Sequence, residues 1–376
     1  VAKEKITRLA DVIGLLNRLC PPDLAEDWDN VGLQVGDPKT KIDTILVCLD
    51  AEEIALKEAQ RHNAQLIISH HPLIFKPLKR LSPTDSTGEI IFAAIKNDIA
   101  VVSAHTNLDR AADGLNDWLA ERLGLGDTTP LEKTLSGQFY KLIVYVPVGH
   151  EIDVRDAVFA AGAGHIGGYD QCSFSQRGTG TFRGGIGTQP FIGTPGALES
   201  TEEIRLETIV PAAVVTKVVT RMLKVHPYEE VAYDLIPLAN QRTDVGLGRI
   251  GALDESMSLQ QFAEQVKQSL NLSGLTLVGE LDQKISRVAV CGGTGMSLLS
   301  AALRQGADCL VTGDIKYHEA QRARTEGISL IDAGHFATEQ IMVAELSQRL
   351  RKVFAEQNMT VNVIEMAAEK DPLIFF

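Results

Sequence analysis

The sequence predicts an α/β protein in which two related α/β halves share one site, with an inserted ferredoxin-like α+β domain between them. Three observations predict this. An apolar, β-branched run, KIDTILVC from Lys41 to Cys48, returns as KISRVAVC from Lys284 to Cys291. At the same offset LIIS (Leu66 to Ser69) returns as CLVT (Cys309 to Thr312), with a helical stretch inside each pair. The segment between the halves, about 131–240, belongs to neither copy.

The first half, 1–130, opens with Ile6, Leu9, Val12, Ile13 and Leu16 at helical spacing. Its strand–helix–strand order, repeated in the second half, 241–376, indicates parallel βαβ units. A third match runs at a shorter offset. VVSAHTNLD ends at Asp109 and LIDAGHFATE ends at Glu339, so the first half is longer in the region of Pro77 to Gly88. His105 thereby pairs with His335 and Asp109 with Glu339, and each half offers a strand followed by H-x-x-x-[DE]. In the insert, 131–240, FYKLIVYVP reads as a strand and Val154 to Ala161 as a helix. The glycine-rich stretch Gly162 to Gly196 reads as short strands and turns. RLETIVP, Ala212 to Val225 and VAYDLIPL then read as strand, helix and strand. The order β-α-β-β-α-β is that of a ferredoxin-like unit.

Composition narrows the function classes. Apolar residues make up 44% and charged residues 23%, which suits packed cores rather than disorder. No apolar run approaches the length of a membrane span, and the N-terminal stretch lacks the pattern of a signal peptide. Cys20, Cys48, Cys172, Cys291 and Cys309 are scattered, odd in number and without a C-x-x-C pair. They are expected as reduced thiols in a cytoplasmic protein. A net charge of −13 opposes nucleic-acid binding through phosphates. A local basic pocket at Lys76, Lys79 and Arg80 stays open beside the reading of a solvated loop.

Three clusters carry chemistry. In GHFATEQIMVAELSQRLRKVF, His335 and Glu339 sit at i and i+4 and continue the apolar stripe of Val343, Leu346, Leu350, Val353 and Phe354. A carboxylate on that stripe is costly unless paired or bound to a cation. SHHPLIF places His70 and His71 at a strand end, where sites of parallel sheets gather. Adjacent strand residues point to opposite faces, so both serve one site only if the chain turns there, as Pro72 allows. In HTNLD, Asp109 is the repeat mate of Glu339, or a helix cap; His105 is a ligand or the partner that orients one. Together His70, His71, Asp109, His335 and Glu339 make a ligand set for two divalent ions. Imidazoles with carboxylates and no thiolate suit zinc, the first choice, or Fe, Mn, Co or Ni. Five ligands over two ions leave open positions, as catalytic sites do.

Weaker signals surround these. Asp314 and His318 in TGDIKYHEA line the pocket or face solvent. CGGTG, residues 291–295, is a tight turn or an anion cradle. EDWDNVGLQVG, residues 26–36, joins Trp28, Asp29 and Asn30 to a glycine turn and has no role assignable from its chemistry alone.

The stretches WDNVGLQVG, SHHPLIF, HTNLD, TGDIKYHEA and GHFATEQ, in this order, resemble the Nif-three-like family, the GTP cyclohydrolase 1 type 2 homologues. The resemblance implies a dinuclear metal site at His70, His71, Asp109, His335 and Glu339, with Glu339 touching both ions. It also implies a ring-shaped homohexamer. The family label implies hydrolytic opening of the purine ring of GTP, or action on another nucleotide or small molecule, with Glu339 and His318 as catalytic proton carriers. HPYEEVAYDLIPL, residues 226–238, is similar to the PII and CutA group of trimer-forming domains. A second function class follows from that insert: a metal-containing regulatory or partner-binding protein that takes an effector there.

Overall fold

The computed structural model of the chain describes residues 6–133, 139–240 and 242–374. Two compact units are formed, one from Val1–Thr134 with Thr243–Phe376 and one from Leu135–Arg242. In chain order the first unit starts with helix α1 (Leu9–Leu19), strands β1 (Gly32–Val35) and β2 (Thr44–Cys48), α2 (Glu53–Arg61), β3 (Leu66–Ser69), α3 (Ser86–Lys96) and β4 (Ala100–Ser103). It continues with α4 (Thr106–Arg110), α5 (Leu115–Arg122) and β5 (Leu125–Lys133). The second unit holds β6 (Phe139–Pro147), α6 (Glu151–Ala160), β7 (Ser173–Arg183), β8 (Leu198–Pro211), α7 (Val215–Val225) and β9 (Tyr233–Leu238). The chain then returns with β10 (Gly246–Ser258), α8 (Leu259–Ser269), β11 (Thr276–Val278), β12 (Lys284–Thr294), α9 (Leu299–Arg304) and β13 (Cys309–Gly313). It closes with α10 (Tyr317–Glu326), β14 (Ser329–Asp332), α11 (His335–Glu356) and β15 (Asn362–Glu365).

The repeated sequence becomes repeated topology. β2, β3 and β4 run parallel, with Cys48 beside Ser69 and Ser69 beside Ser103. β12, β13 and β14 run parallel in the same order, with Val288 beside Cys309 and Thr312 beside Asp332. Each trio takes an antiparallel strand on its third member: β1 on β4, β11 on β14. The sheet orders are β1-β4-β3-β2-β15 and β11-β14-β13-β12-β10-β5. β3, β4 and β13 are buried along their whole length. That is why these strands read as unbroken apolar runs rather than alternating ones.

Helix α11 touches strands of both sheets and buries Ile341, Met342, Val343, Leu346, Leu350 and Phe354 in their common core. Two buried polar groups stitch the halves together. The Asn116 side chain donates to the Asp109 carbonyl at 2.9 Å and accepts from the Gly292 N–H at 2.9 Å. Arg249, fully buried, donates twice to Asp117 and to the carbonyls of Ala111, Gly246 and Gly248. A buried guanidinium with this many acceptors avoids the penalty of an unpaired charge.

α1 buries Leu9, Val12, Leu15 and Leu16, whereas Ile6, expected on the same stripe, precedes the helix and is 59% exposed. In the second unit, four strands form one sheet in the order β7-β8-β6-β9. Its core is Leu142, Val144, Val146, Val154, Val158, Leu206, Val210, Val218 and Met222. The glycine-rich stretch departs from the expected short strands: β7 pairs with β8 without a break from Ser173 to Arg183. β7 is exposed along nearly all of its length, so it carries no apolar alternation to announce it.

Candidate metal centre

The parallel trios point their carboxyl ends at one cluster. His70 and His71 follow β3, His105 caps α4 after β4, and His335 opens α11 after β14. Asp109 and Glu339 lie four positions beyond His105 and His335, one helical turn on, and so return to the same side. The chain does bend at His70 and His71, and both adjacent imidazoles reach the same cluster, with ring centroids 5.1 Å apart.

All four imidazoles are oriented in the same way. The Nδ1 of His71 meets Asp50 at 2.8 Å, that of His105 meets Asp29 at 2.9 Å, and that of His335 meets Asp314 at 2.7 Å. His70 Nδ1–H donates to the Ala104 carbonyl at 2.8 Å. Each Nε2 is left to face the cluster. A carboxylate or carbonyl behind each imidazole is the arrangement that fixes the tautomer of metal-binding histidines.

The inward atoms are close but not mutually satisfied. His71 and His335 Nε2 stand 3.0 and 2.9 Å from Glu339 Oε2. His70 Nε2 is 3.6 Å from Asp109 Oδ1 and 3.7 Å from Glu339 Oε1. Yet His70 Nε2, Asp109 Oδ1 and Glu339 Oε2 are buried without a properly directed hydrogen bond. For Glu339 Oε2 the contacts are short while the angles are wrong, so proximity there is not hydrogen bonding. Buried polar atoms left this way carry a desolvation cost, and lone pairs converging on common points are what a cation needs. Among the described residues two groups have ligand atoms close enough to hold a metal ion: His70, His71 and His105, and His71, His335 and Glu339.

Electrostatics agree with that donor set. Burial raises the Glu339 pKa, but the close imidazoles of His335, His70 and His71 outweigh it and hold the carboxyl well below its usual range. Burial dominates at Asp109 and pushes its carboxyl up. Burial pulls His71 down, while Asp50 and Glu339 lift it to about 10. The nearby Glu339 carboxylate is the main lift at His335, against burial, to about 9. Without a cation, the protons on these imidazoles are what balance two buried carboxylates.

The EDWDN segment now has a role. The Asp29 side chain is fully buried and accepts from the Thr106 N–H and hydroxyl besides holding His105. Burial opposes its charge, but these bonds bring its pKa down to about 2. Asn30 donates to the Ile74 carbonyl and to Gln34, tying this loop to the one after His71. Trp28, 58% exposed, lies 6.1 Å from the His105 ring and 5.7 Å from Phe75. A signal was available in the sequence, an acid flanked by an aromatic and a glycine turn, but nothing local joins it to His105.

The CGGTG turn is no anion cradle. The N–H groups of Gly292, Gly293 and Gly295 are taken by Asn116, Thr338 and Thr312. Its glycines serve proximity instead: a Cβ on Gly293, at φ +59°, would stand 2.1 Å from Glu339 Oε1. Lys76, Lys79 and Arg80 are exposed. His318 is exposed on α10, bonded to Gln321 and edge-on to Tyr317, and no described bond joins it to the cluster. Asp314, its companion in the motif, does belong, through His335 and Thr294. A cavity of about 550 Å³ opens beside His71, lined among others by Asp50, Glu53, Lys57, Gln60 and Leu73.

Known proteins match both the sequence and this fold. The chain is 44% identical over 371 residues to a GTP cyclohydrolase 1 type 2 homolog of Halalkalibacterium halodurans, covering 99% of this chain and 100% of that one. It is 42% identical to the Bacillus subtilis protein of the same name, over 97% of each. The crystal structure of a Bacillus cereus protein related to NIF3 superposes with a TM-score of 0.91 at 44% identity, covering 99% of this chain and all of that one. The family profile described as Duf34/NIF3 (NGG1p interacting factor 3) matches residues 7–372, and the chain belongs to that family.

Proposed function

We propose that the protein is a cytoplasmic metal-dependent hydrolase that holds two divalent ions, zinc first among Fe, Mn, Co and Ni, and acts on a nucleotide or related small molecule. The observation that carries this reading is the set of unsatisfied inward atoms on His70, Asp109 and Glu339, ringed by imidazoles whose outer nitrogens are all held. In this reading His70, His71, Asp109, His335 and Glu339 would hold the two ions, with His105 beside them. Two such ions would polarise a substrate and make a water more acidic.

The chain's own residues do the rest. Asp50, Asp29 and Asp314 hold His71, His105 and His335 in position. Trp28 and Phe75 offer aromatic faces on which a planar ring could stack, and the relatives' name, GTP cyclohydrolase 1 type 2 homolog, makes GTP the first such ring to test. Glu339, kept ionised by its imidazole neighbours, is the ligand carboxylate, and in this reading His318, exposed on α10, is the proton carrier that solvent reaches. The unit of residues 135–242 is read as the PII/CutA-like insert, on the strength of its β-α-β-β-α-β order and sheet order. A homohexamer is part of the proposal, checked by light scattering.

Protein purified without chelator should carry about two divalent ions per chain, and Glu339→Gln should lose most of them while keeping its circular dichroism. Elemental analysis reads the metal, and formate release from GTP reads the activity. Unchanged turnover in a Glu339→Gln protein that has lost its metal would refute the hydrolase reading.

A further inference from the structure

The second unit contains a cavity of about 340 Å³ that the metal centre does not involve. Its walls include the rings of Phe182, Phe191 and Tyr228. Phe182 and Phe191 each stand 6.2 Å from Tyr228, centroid to centroid, tilted by 53° and 50°. Glu203 also lines it and is 8% exposed. Its Oε1 accepts from the Tyr228 hydroxyl at 2.9 Å. Its Oε2 lies over Gly180, where a Cβ would stand 2.2 Å away, so this strand position accepts the carboxylate because it carries no side chain.

A buried carboxylate costs folding free energy unless a cation or enough donors meet it. Glu203 has one phenolic donor, and among the described residues no cation stands within ion-pair distance of it. Glu229 and Glu230 add two more carboxylates to the lining, against the single guanidinium of Arg183. Glu229 is already held by the Gln189 N–H, at 3.0 and 3.2 Å, and so is fixed at the wall. Carboxylates with aromatic faces are the combination that recognises an organic cation. A bare metal ion fits less well: the groups of described side chains with metal-ligand spacing are those of the other unit, and a phenylalanine face contributes no ligand atom.

We propose that this cavity binds a small organic cation, an alkylammonium or guanidinium compound, with its charge against Glu203 and its carbon or planar surface against Phe182, Phe191 and Tyr228. The site is independent of the metal centre.

The test is calorimetric titration of the full chain with choline and with agmatine, beside 3,3-dimethyl-1-butanol as the neutral isostere of choline. Saturable binding of one of the two cations is expected, with none for the neutral alcohol. Glu203→Gln should weaken it at least about tenfold and Phe191→Ala several-fold. Phe191 is half exposed, so its variant folds even if the Glu203 variant does not. Metal content should be the same in wild type and both variants. Absence of saturable binding for both cations would overturn the proposal. So would equal binding of the neutral alcohol, or affinity unchanged in both variants.

Discussion

The two βαβ halves of the first unit share a frame and divide the site unequally. Each delivers a histidine and, one helical turn later, an acid: His105 with Asp109, His335 with Glu339. Each histidine is held from behind by an aspartate, Asp29 or Asp314. At the end of the middle strand they diverge. The first half has His70 and His71, and the matching positions of the second half are Gly313 and Asp314. A Cβ on Gly313 would stand 2.6 Å from the His335 backbone nitrogen, so the second half needs a glycine where the first has a ligand candidate. The end of the first strand diverges too, with Asp50 behind His71 in one half and Gly293 under Glu339 in the other. A duplicated fold therefore supplies the symmetric part of the cluster, and the asymmetric part comes from exchanging side chain for space.

Gly293→Ala should break this arrangement most strongly. The new methyl meets Glu339 at a positive φ, costing about 1–3 kcal/mol and displacing a proposed ligand. Thermal unfolding and metal content should both fall, and retention of full metal content would contradict the role given to this turn.

The aspartates sharpen the comparison. Asp314→Asn and Asp50→Asn, behind the proposed ligands His335 and His71, should each lower metal affinity about 10–100-fold, and Asp29→Asn, behind His105, by less. Only Asp29→Asn should also lower the melting temperature appreciably, because its side chain is buried and holds Thr106 as well, whereas Asp314 is 44% exposed. Competition titrations with a chromophoric chelator, run beside calorimetry, separate the two effects.

The pH response comes next. In metal-free protein the raised pKa values of His335, about 9, and His71, about 10, mean the folded state binds protons more tightly than the unfolded chain. Their contribution is fully present below about pH 6.5, the ordinary histidine value, and is lost as pH rises through 9 to 10. Metal-loaded protein should show the opposite trend over this range, since ions and protons compete for the same nitrogens and acid expels the metal. Melting curves of both forms from pH 6 to 10 should therefore converge toward the acid end; parallel curves would argue against imidazole ligation.

The smallest effect is expected at His318→Ala. The residue is exposed and bonded only locally, so stability should move by less than about 0.5 kcal/mol and metal content not at all. A drop in turnover alone would mark it as a proton carrier.

Much of this was legible in the sequence because local spacing writes it there. Parallel strands buried on both faces become apolar runs, and an imidazole and a carboxylate wanted on one side of a helix fall at i and i+4. These rules gave the strands of both trios, the helix from His335 and the two H-x-x-x-[DE] pairs, while His70 and His71 were read from their place at a strand end and the full ligand set from the family resemblance. Exposure erased the signal in β7, whose side chains face water and whose pairing with β8 rests on backbone hydrogen bonds. No membrane-crossing helix was expected, and among the described residues none is long and apolar enough to be one. The cysteines were expected as free thiols, and they are free, with Cys172 the one not buried.

By itself the sequence determined which histidines and acids recur in the two copies of one unit, because periodicity and duplication are properties of the chain. Only the tertiary structure decided what stands behind each imidazole, why Gly293 and Gly313 lack side chains, and that Glu203 in the second unit is buried with no cation within ion-pair distance among the described residues. These depend on residues far apart in the chain, such as Asp29 and His105, meeting at fixed distances. Such meetings come from how strands and helices pack, and no local pattern encodes them.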